Sequence, residues 1–253
     1  MASGFEGKVF LVTGGASGIG KATAFKFARE GAGVVIADVS REGGRQTVQE
    51  ISQMGGKASF IPTDVTKADE VEALVSRVKE VYGRLDFALN NAGIGHPSSL
   101  THEIPEEIWE QVISVNLKGV WLCMKYELPQ MMEQGYGAIV NMSSIGGLIG
   151  GPGLAAYGAS KGGINQLTKV TALEYAKFGI RVNAVCPSIT MTPLFEEAAR
   201  NYPEAFKDMI DHQPLRRPAK PEEMANAVFW LCSDESSYVN GVCLPVDGGF
   251  TVA

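Results

Sequence analysis

Short runs of apolar, β-branched residues alternate along the chain with longer segments whose apolar residues recur every three or four positions. The short runs predict buried strands, and the longer segments predict amphipathic helices. Strands are predicted at Lys8–Thr13, Gly33–Asp38, Ala58–Thr63, Leu85–Leu89, Ala138–Met142, Arg181–Cys186 and Cys243–Asp247. Helices are predicted at Ile19–Arg29, Lys67–Tyr82, Pro105–Met132, Tyr157–Phe178 and Glu222–Cys232.

This regular alternation of strand and helix predicts right-handed βαβ units. We therefore expect one α/β domain over residues 1–253, a doubly wound sheet of about seven parallel strands with helices on both faces. Gly179 is placed to end the helix that begins near Tyr157, and Pro245 suits a strand at a sheet edge.

One segment, Thr190–Pro218, breaks the rhythm. It contains two short helical stretches, near Leu194–Asn201 and Pro203–His212. Long excursions from a compact domain often cover a binding site, so residues 190–218 are predicted to form a substrate lid. The alternative is that their apolar side chains pack as a satellite of the core.

A glycine-rich turn follows the first strand and precedes a helix, with the spacing Gly-x-x-x-Gly-x-Gly. Glycines at this junction let the backbone approach a phosphate, toward which the helix N-terminus points. The turn therefore predicts a nucleotide site, and a tight turn without a ligand is the alternative. The residues concerned are Gly14, Ser17, Gly18, Ile19 and Gly20.

Asp38 ends the second strand, 18 residues after Gly20. A carboxylate there accepts hydrogen bonds from both ribose hydroxyls of NAD and repels the 2′-phosphate of NADP. The glycine turn contains no basic residue, although Arg41 is close enough in sequence to offset the acid in part. NAD is therefore the predicted cofactor. A capping role for Asp38 is the alternative.

Other polar or small residues follow later strands: Asp64 and Val65, Asn90 to Gly93, Ser144, and Pro187 onward. Because parallel strands end at the same edge of a sheet, these residues are expected to converge there. A carboxylate at Asp64 could meet an adenine amino group, and the amides of Asn90 and Asn91 could bridge strands.

Tyr157 and Lys161 are one helical turn apart, on the same face. A nearby ammonium favours the phenolate and brings a tyrosine into range for proton transfer, and a seryl hydroxyl from Ser143-Ser144 could hold a substrate oxygen. The alternative is an ordinary amphipathic helix. Asn116 is a polar amide among apolar neighbours, for which a structural hydrogen bond is a sufficient explanation.

The composition narrows the choice of partners and compartment. Hydrophobic residues make up 45% of the 253 residues, and the net charge of −6 argues against nucleic acid or anionic membrane as main partner. The four cysteines are scattered singly, as expected of reduced thiols and not of a metal site. With no signal-peptide pattern and no run of about 18 apolar residues, a cytoplasmic location is expected.

Taken together, these motifs resemble the classical short-chain dehydrogenase/reductase family over nearly the whole chain. The matching segments are Thr13-Gly14-x-x-x-Gly18-Ile19-Gly20, Asp64, Asn90-Asn91-Ala92-Gly93, Asn116, Ser144, Tyr157-x-x-x-Lys161, Arg181-Val182-Asn183 and Val246-Asp247-Gly248-Gly249. The resemblance implies a seven-stranded Rossmann-type sheet, no metal, and reversible oxidoreduction between alcohol and ketone.

The resemblance also implies roles for individual residues. Tyr157 would be the general acid/base, Lys161 would lower its pKa and hold the nicotinamide ribose, and Ser144 would position the carbonyl. Asn116 would hold a water at a kink in its helix, and Thr192 would anchor the carboxamide. The residues expected to bind cofactor are Gly14, Ser17, Gly18, Ile19, Gly20, Asp38, Asp64, Val65, Asn91, Ala92, Gly93, Tyr157, Lys161, Pro187, Thr190 and Thr192.

The residues expected to line the substrate pocket are Ile94, His96, Ser144, Ile145, Leu148, Leu154, Tyr157, Met191, Leu194 and Phe195. This wall is mostly apolar and lacks an evident cationic clamp, which favours a small neutral or cyclic secondary alcohol. His96 is also consistent with a surface loop. One departure from the family pattern is Ser188, where glycine is usual, because a Cβ there could narrow the nicotinamide end.

Two other functions stay open. A 3-oxoacyl-thioester (acyl carrier protein) reductase has the same fold, although Asp38 counts against its usual NADPH preference. A non-catalytic nucleotide sensor is the second alternative, disfavoured by intact Asn116, Ser144, Tyr157 and Lys161. The resemblance further implies a homotetramer built in part on the helices that carry Asn116 and Tyr157.

Overall fold

Seven parallel strands form a single sheet in the order β3-β2-β1-β4-β5-β6-β7. The structure is a computed structural model that describes residues 4–201 and 203–253, without the side chains of Leu194, Glu197, Ala198, Asn201 and Ala205. The strands are β1 (Val9–Thr13), β2 (Gly33–Asp38), β3 (Lys57–Pro62), β4 (Phe87–Asn90), β5 (Gly137–Met142), β6 (Ile180–Pro187) and β7 (Cys243–Val246). The predicted parallel sheet is confirmed, with β7 at one edge as Pro245 indicated.

Helices cover both faces of this sheet. They are α1 (Gly18–Arg29), α2 (Arg41–Gln53), α3 (Ala68–Tyr82), α4 (Glu106–Val112), α5 (Gly119–Gln134), α6 (Ala155–Tyr175), α7 (Pro193–Asn201), α8 (Pro203–Asp211) and α9 (Pro221–Cys232). Within the described ranges, none of them combines the length and the apolar character that crossing a bilayer demands.

Alternate residues of β1 divide the core between the two faces, as the pleat of a strand requires. Phe10 and Val12 pack with apolar residues of α1, α2 and α9, whereas Val9 and Leu11 pack with α3, α5 and α6. On the first face the rings of Phe10 and Phe27 are stacked with centroids 3.8 Å apart. The sheet is therefore buried on both sides, which explains why its strands are apolar without alternation.

The strand order reverses between β1 and β4, which are neighbours although two strands separate them in sequence. In open α/β sheets, ligands bind beyond the carboxyl ends of the strands at such a reversal. Thr13 is in register with Asn90, and Asn90 with Asn141, so the ends of three strands lie side by side. The residues that follow these strands converge at one edge, as predicted.

Helix α2 was not predicted, because Gly43 and Gly44 lie in its first turn and glycine costs about 1 kcal/mol in a helix interior. Packing against β3 explains why position 44 is glycine. A Cβ at that position would lie 2.1 Å from Cε2 of Phe60 in β3, so only glycine lets the helix approach this strand so closely. Ser40 caps the helix by accepting a hydrogen bond from the Gly43 amide.

The long helix predicted over Pro105–Met132 is interrupted. Between α4 and α5, residues Ile113–Lys118 form a π-helical segment that contains Asn116. Such insertions widen the helix locally and often occur at functional sites. The helix thus departs from regular α-helical geometry at Asn116, where the family resemblance implied a kink. Helix α5 continues to Gln134, and Gly135 ends it in the left-handed conformation.

The excursion after β6 forms the two expected helices, α7 and α8, and is closed at its base. Thr190 and Ala219 form a parallel β-bridge, in which the Met191 amide donates to the Ala219 carbonyl over 2.9 Å. The Ala219 amide in turn donates to the Ile189 carbonyl over 2.8 Å. The two ends of the excursion are thereby held together beside the sheet.

Candidate active site

The glycine turn brings β1, α1 and the loop after β4 into close contact. Gly14 has a φ of +66°, and a Cβ there would lie 2.8 Å from Nδ2 of Asn91. A Cβ on Gly20 would lie 2.2 Å from the carbonyl oxygen of Gly14. No larger residue fits either position without displacing backbone, so the sequence forms a narrow junction between strand and helix.

The N-terminus of α1 faces this junction. Ser17 is its N-cap residue but makes no side-chain capping hydrogen bond with the described residues. The first backbone N–H groups of a helix carry the positive end of its dipole and bind anions readily. The turn and the helix start therefore fit the pyrophosphate of a dinucleotide.

Asp38 lies directly beside the glycine turn. One carboxylate oxygen accepts from the Ala16 amide over 3.0 Å, and the other accepts from the Ser40 amide over 2.9 Å. These contacts fix the carboxylate at the end of β2, where a ribose next to the pyrophosphate would reach it. The position of Asp38 fits a residue that contacts the ribose of a nicotinamide dinucleotide.

Asn91 has a clear structural role at the end of β4. Its Nδ2 donates to the carbonyl oxygens of Thr13 and Gly14, each over 3.1 Å, and its backbone amide donates to Oγ1 of Thr13. The predicted bridging of strands by these amides is confirmed. A direct contact of Asn91 with cofactor stays a prediction.

Asp64 and Val65, predicted near adenine, follow β3. The Asp64 carboxylate accepts from both the amide and the hydroxyl of Thr66, over 3.0 and 2.7 Å. Burial raises the pKa of this carboxyl, but the hydrogen bonds from Thr66 and the nearby Lys67 ammonium together outweigh it, so that the net shift of the pKa is downward. Val65 is buried against the backbone of Gly119, at the start of α5.

Tyr157 lies in the first turn of α6, next to Ser144. Ser144 caps a short helical turn by accepting from the Gly146 amide over 3.1 Å. Burial raises the pKa of Tyr157, and a side-chain hydrogen bond with Ser144 lowers it in part. The net direction is opposite to the predicted lowering by Lys161, because removal of the phenol from water disfavours the phenolate.

Lys161 reaches inward from the next turn of α6 and is 4% exposed. Its Nζ donates to the carbonyl oxygen of Met142 over 2.9 Å and lies 5.5 Å from the centroid of the Tyr157 ring. Burial lowers the pKa of Lys161 to about 8. The ammonium is thus held by the end of β5 on the same side as the tyrosine.

Asn116 is fully buried and all of its side-chain polar atoms have partners. Its Oδ1 accepts from the Ile94 amide over 2.8 Å, and its Nδ2 donates to the Ile94 carbonyl and to Oγ of Ser160 over 3.0 and 3.1 Å. A Cβ on Gly93 would lie 3.3 Å from Asn116 Oδ1 and 3.5 Å from Lys161 Nζ. Both the amide oxygen and the ammonium therefore border the space that a side chain at position 93 would fill.

Ser188, which occupies a position where the family usually has glycine, makes hydrogen bonds away from the glycine turn. Its hydroxyl lies 3.1 Å from Oε1 of Gln213 and 3.2 Å from the carbonyl oxygen of Asp247, and these two acceptors share its single hydrogen. The side chain is thus directed at the end of the excursion and at the segment after β7. The predicted narrowing of the nicotinamide end has no counterpart in these contacts.

Of the residues after β6 that are predicted to bind cofactor, Thr192 contacts the glycine turn. The Thr192 side chain lies against Gly18, whose Cβ position would be 3.1 Å from Cγ2 of that threonine. Thr190 is buried and its hydroxyl donates to the Ser188 carbonyl over 3.4 Å. Pro187, the last residue of β6, is also buried.

The structure brings some residues of the predicted substrate wall close to Tyr157 and leaves others apart, and their contact with substrate stays a prediction. His96 contacts the Tyr157 backbone, and Gly146 next to Ile145 lies against the Tyr157 ring. Met191 instead lines a cavity of about 570 Å³ between α1 and α9, whose described lining includes neither Ser144 nor Tyr157. The Leu194 side chain lies outside the described residues. Leu148 is 40% exposed, and Ile94, Leu154 and Phe195 are half-buried.

Ser160 is a member of the site that sequence reasoning missed. Its hydroxyl donates to the Tyr157 carbonyl over 2.7 Å and accepts from Asn116. The available signal was its position three residues after Tyr157, on the same helix face. Serine in a helix often bonds back to the preceding turn, so the position alone did not indicate a link to Asn116.

Comparisons with known proteins cover nearly the whole chain. Residues 14–251 match the family model described as enoyl-(acyl carrier protein) reductase. The chain is 44% identical over 247 residues to the 3-oxoacyl-(acyl-carrier-protein) reductase FabG of Thermotoga maritima, with 98% of this chain and 99% of that protein covered. It is also 44% identical over 251 residues to the cis-4-hydroxycyclohexanecarboxylate dehydrogenase of Sinomonas cyclohexanicum, with 99% of each covered.

A solved structure extends this likeness to three dimensions. The crystal structure of an NAD+-bound xylitol dehydrogenase superposes with a TM-score of 0.93 at 35% identity, over 97% of this chain and 100% of that one. The shared fold therefore includes the glycine turn, the sheet edge and the helix that carries Tyr157.

Proposed function

The chain belongs to the classical short-chain dehydrogenase/reductase family, and on this premise we propose that it transfers a hydride between NAD(H) and a small cyclic secondary alcohol or its ketone. The observation that carries the proposal is the arrangement of Tyr157, Ser144 and Lys161 around one sheet edge, next to the glycine turn. These groups supply an acid/base, an oxygen-binding hydroxyl and a buried cation in one place.

The nicotinamide, when bound, supplies the hydride acceptor or donor. The residues of the chain supply the rest. Ser144 would hold the substrate oxygen by donating from its hydroxyl, which the Gly146 amide already orients. Tyr157 would exchange a proton with that oxygen. Burial raises the pKa of the phenol, a direction that favours the protonated form required for ketone reduction.

Lys161 would favour the phenolate after proton transfer, since an ammonium stabilises a nearby anion. Its Nζ is already hydrogen-bonded to the Met142 carbonyl, so little side-chain reorganisation is needed. The glycine turn, the start of α1 and Asp38 would hold the pyrophosphate and ribose. NAD in preference to NADP is proposed because the Asp38 carboxylate lies beside the glycine turn and would repel a 2′-phosphate.

Two features support a cyclic alcohol. The relative from Sinomonas cyclohexanicum is named for a hydroxylated cyclohexane ring. Apart from the catalytic residues themselves, the predicted wall of the pocket is apolar except for His96 and contains no lysine or arginine, which favours a neutral substrate over a phosphorylated one. The second candidate function is reduction of a 3-oxoacyl thioester, which the relative from Thermotoga maritima favours.

A panel of substrates separates these functions. The full-length protein would be incubated with NAD or NADP and cyclohexanol, cis-4-hydroxycyclohexanecarboxylate or xylitol, and with NADH or NADPH and an acetoacetyl thioester, while nicotinamide fluorescence is followed. We expect turnover of a cyclic alcohol with NAD. Turnover of the thioester alone would favour the second candidate, and nucleotide binding without any turnover would contradict an oxidoreductase.

We also propose a homotetramer in the cytoplasm. Apolar side chains on α4, α5 and α6 are unusually exposed for a monomer surface: Trp109, Trp121, Val170 and Leu173 are 42, 44, 40 and 83% exposed. These helices flank the segment with Asn116 and include Tyr157. All four cysteines of the described chain are free thiols, which suits a reducing compartment.

A further inference from the structure

The imidazole of His96 contacts the backbone of the tyrosine itself. His96 follows β4 in the loop that begins at Asn91, and its Nε2 lies 3.3 Å from the backbone nitrogen of Tyr157. The two residues are 61 positions apart in sequence. The amide N–H can only donate, so Nε2 must be the acceptor in this hydrogen bond.

The other ring nitrogen determines the tautomer. His96 Nδ1 lies 2.8 Å from the carbonyl oxygen of Pro97, which can only accept. Nδ1 therefore carries the hydrogen, and Nε2 keeps its lone pair for the Tyr157 amide. Both contacts are satisfied by one neutral tautomer, and neither ring nitrogen is left for a substrate.

The amide that His96 holds is one that the helix cannot satisfy itself. Helix α6 begins at Ala155, so the N–H of Tyr157 belongs to the first turn and has no carbonyl partner within the helix. The N-cap residue is Leu154, which has no side-chain acceptor and makes no capping bond. The acceptor that a serine or aspartate would normally provide comes here from a different loop.

The same loop is attached to α6 at a second point. The Tyr157 carbonyl accepts from the Ser160 hydroxyl, which accepts from Asn116, and Asn116 binds both backbone polar groups of Ile94. Ile94 lies two residues before His96. The backbone of Tyr157 is therefore held at its N–H by His96 and, through Ser160, at its C=O.

We propose that His96 is a positioning residue, which caps the helix that carries Tyr157 and so fixes the phenol relative to the loop after β4. This role rests on the proposed function, because the positioning matters only if Tyr157 handles the proton. It replaces the expectation that His96 touches substrate, since both ring nitrogens are engaged within the protein. Loss of His96 would therefore lower kcat and leave the affinity for nucleotide unchanged.

Three full-length variants test the proposal. His96→Leu removes the acceptor, whereas His96→Gln replaces it with an amide oxygen at a similar reach. His102→Leu is the matched control, because His102 is exposed and lies only six residues after His96. With the alcohol turned over best, we expect kcat to fall about tenfold in His96→Leu, which corresponds to about 1.4 kcal/mol. KM for NAD should stay within about twofold, and His96→Gln and His102→Leu should keep wild-type kcat.

Hydrogen–deuterium exchange gives a readout that needs no turnover. The peptide that spans residues 155–161 should exchange about fivefold faster in His96→Leu than in the wild type, and at the wild-type rate in His96→Gln. If the wild type turns over no substrate, the proposed function fails, and exchange alone then decides whether His96 holds the amide. If His96→Leu does not fold, as judged by circular dichroism, His96→Ala replaces it.

Three outcomes would overturn the proposal. Unchanged kcat and exchange in His96→Leu would show that the contact is dispensable. Faster exchange with unchanged kcat would reduce the cap to a structural role. Equal loss of kcat in His96→Leu and His96→Gln would indicate that the imidazole itself takes part in the reaction.

Discussion

Asn90 donates an amide hydrogen to the carboxylate of Glu127 over 3.1 Å, and both side chains are buried. Its other amide hydrogen goes to Oδ1 of Asn141, also over 3.1 Å, while Oδ1 of Asn90 has no partner among the described residues. Burial raises the pKa of Glu127 to about 7, and the bond from Asn90 lowers it only in part. A titrating acid thus lies beneath the sheet edge, on α5.

Glu127→Gln should make the free energy of unfolding less dependent on pH. In the wild type, the folded pKa near 7 lies above the ordinary value of 4.5, so the folded state keeps a proton that the unfolded state releases. Stability from this group is full below 4.5 and is lost as pH rises to about 7, a change on the order of 3 kcal/mol. The neutral amide avoids that loss and keeps an oxygen that can accept from Nδ2 of Asn90.

Urea unfolding at fixed protein concentration, from about pH 5 to about pH 8, measures this effect. Glu127→Gln should be nearly as stable as wild type at the acid end and clearly more stable at the alkaline end. Glu110→Gln, an exposed acid on α4, is the control and should follow the wild type. Parallel curves for wild type and Glu127→Gln would contradict the prediction.

Tyr157→Phe should reduce kcat by about 10²- to 10⁴-fold, which is the usual contribution of a general acid/base. The dissociation constant for NAD should stay near the wild-type value, because the ring and the Met142–Lys161 contact remain. Steady-state kinetics and fluorescence titration measure the two quantities. Tyr238→Phe, at a fully exposed tyrosine, is the control. Retained turnover would reject the acid/base role.

Asp38→Asn should weaken discrimination against NADP. The substitution removes the negative charge that repels a 2′-phosphate and keeps one oxygen to accept from the Ala16 amide. We expect the ratio of kcat/KM for NAD to that for NADP to fall about tenfold, equivalent to about 1.4 kcal/mol. Asp69→Asn, at an exposed acid on α3, serves for comparison. A ratio that does not move would refute the role in cofactor selection.

Ser188→Ala should destabilise the fold without impairing cofactor binding. Gln213 is 2% exposed, and loss of the serine hydroxyl leaves its Oε1 without that donor. A buried acceptor left unsatisfied costs about 1–3 kcal/mol. Thermal unfolding should show a lower Tm than in wild type or in the exposed control Ser237→Ala, while KM for NAD stays the same. An unchanged Tm would show that the contact contributes nothing.

Leu173→Glu should dissociate the proposed tetramer. Leu173 is 83% exposed on α6, and a carboxylate there would be buried unpaired in an interface between copies of this helix. Size-exclusion chromatography with light scattering should give a smaller species than in wild type. Val81→Glu, at a half-exposed valine on α3, should leave the mass unchanged. A monomeric wild type, or a variant that stays tetrameric, would contradict this interface.

Much of the fold follows from sequence pattern because the central strands are apolar on both faces and the glycine turn marks the end of β1. Val9 to Val12 illustrate this, since alternate residues pack on opposite faces. Helix α2 was not predicted because its first turn contains Gly43 and Gly44, which have low helix propensity. Close packing of Gly44 against Phe60 compensates for that low propensity. That compensation is tertiary and leaves no periodic signal.

The sequence also predicted which residues of the candidate site lie close together, but not every contact between them. Residues that follow strands, such as Asp38 and Gly93, had to meet at one edge once the strands were parallel. The link from His96 to Tyr157 depends instead on how a loop without regular structure folds back onto α6. Hydrogen bonds of this kind join distant residues through a conformation that no local pattern specifies, so neither His96 nor Ser160 could be assigned this role beforehand.

The β-bridge between Thr190 and Ala219 has a consequence for how the segment between them could vary. Because the two ends of the excursion are pinned to each other, residues added or removed between them need not alter the sheet. Doubling the length of a closed loop costs only about 0.6 kcal/mol in closure entropy. The excursion can therefore vary in length and sequence like an exchangeable cassette, while the sheet that it leaves and rejoins stays unchanged.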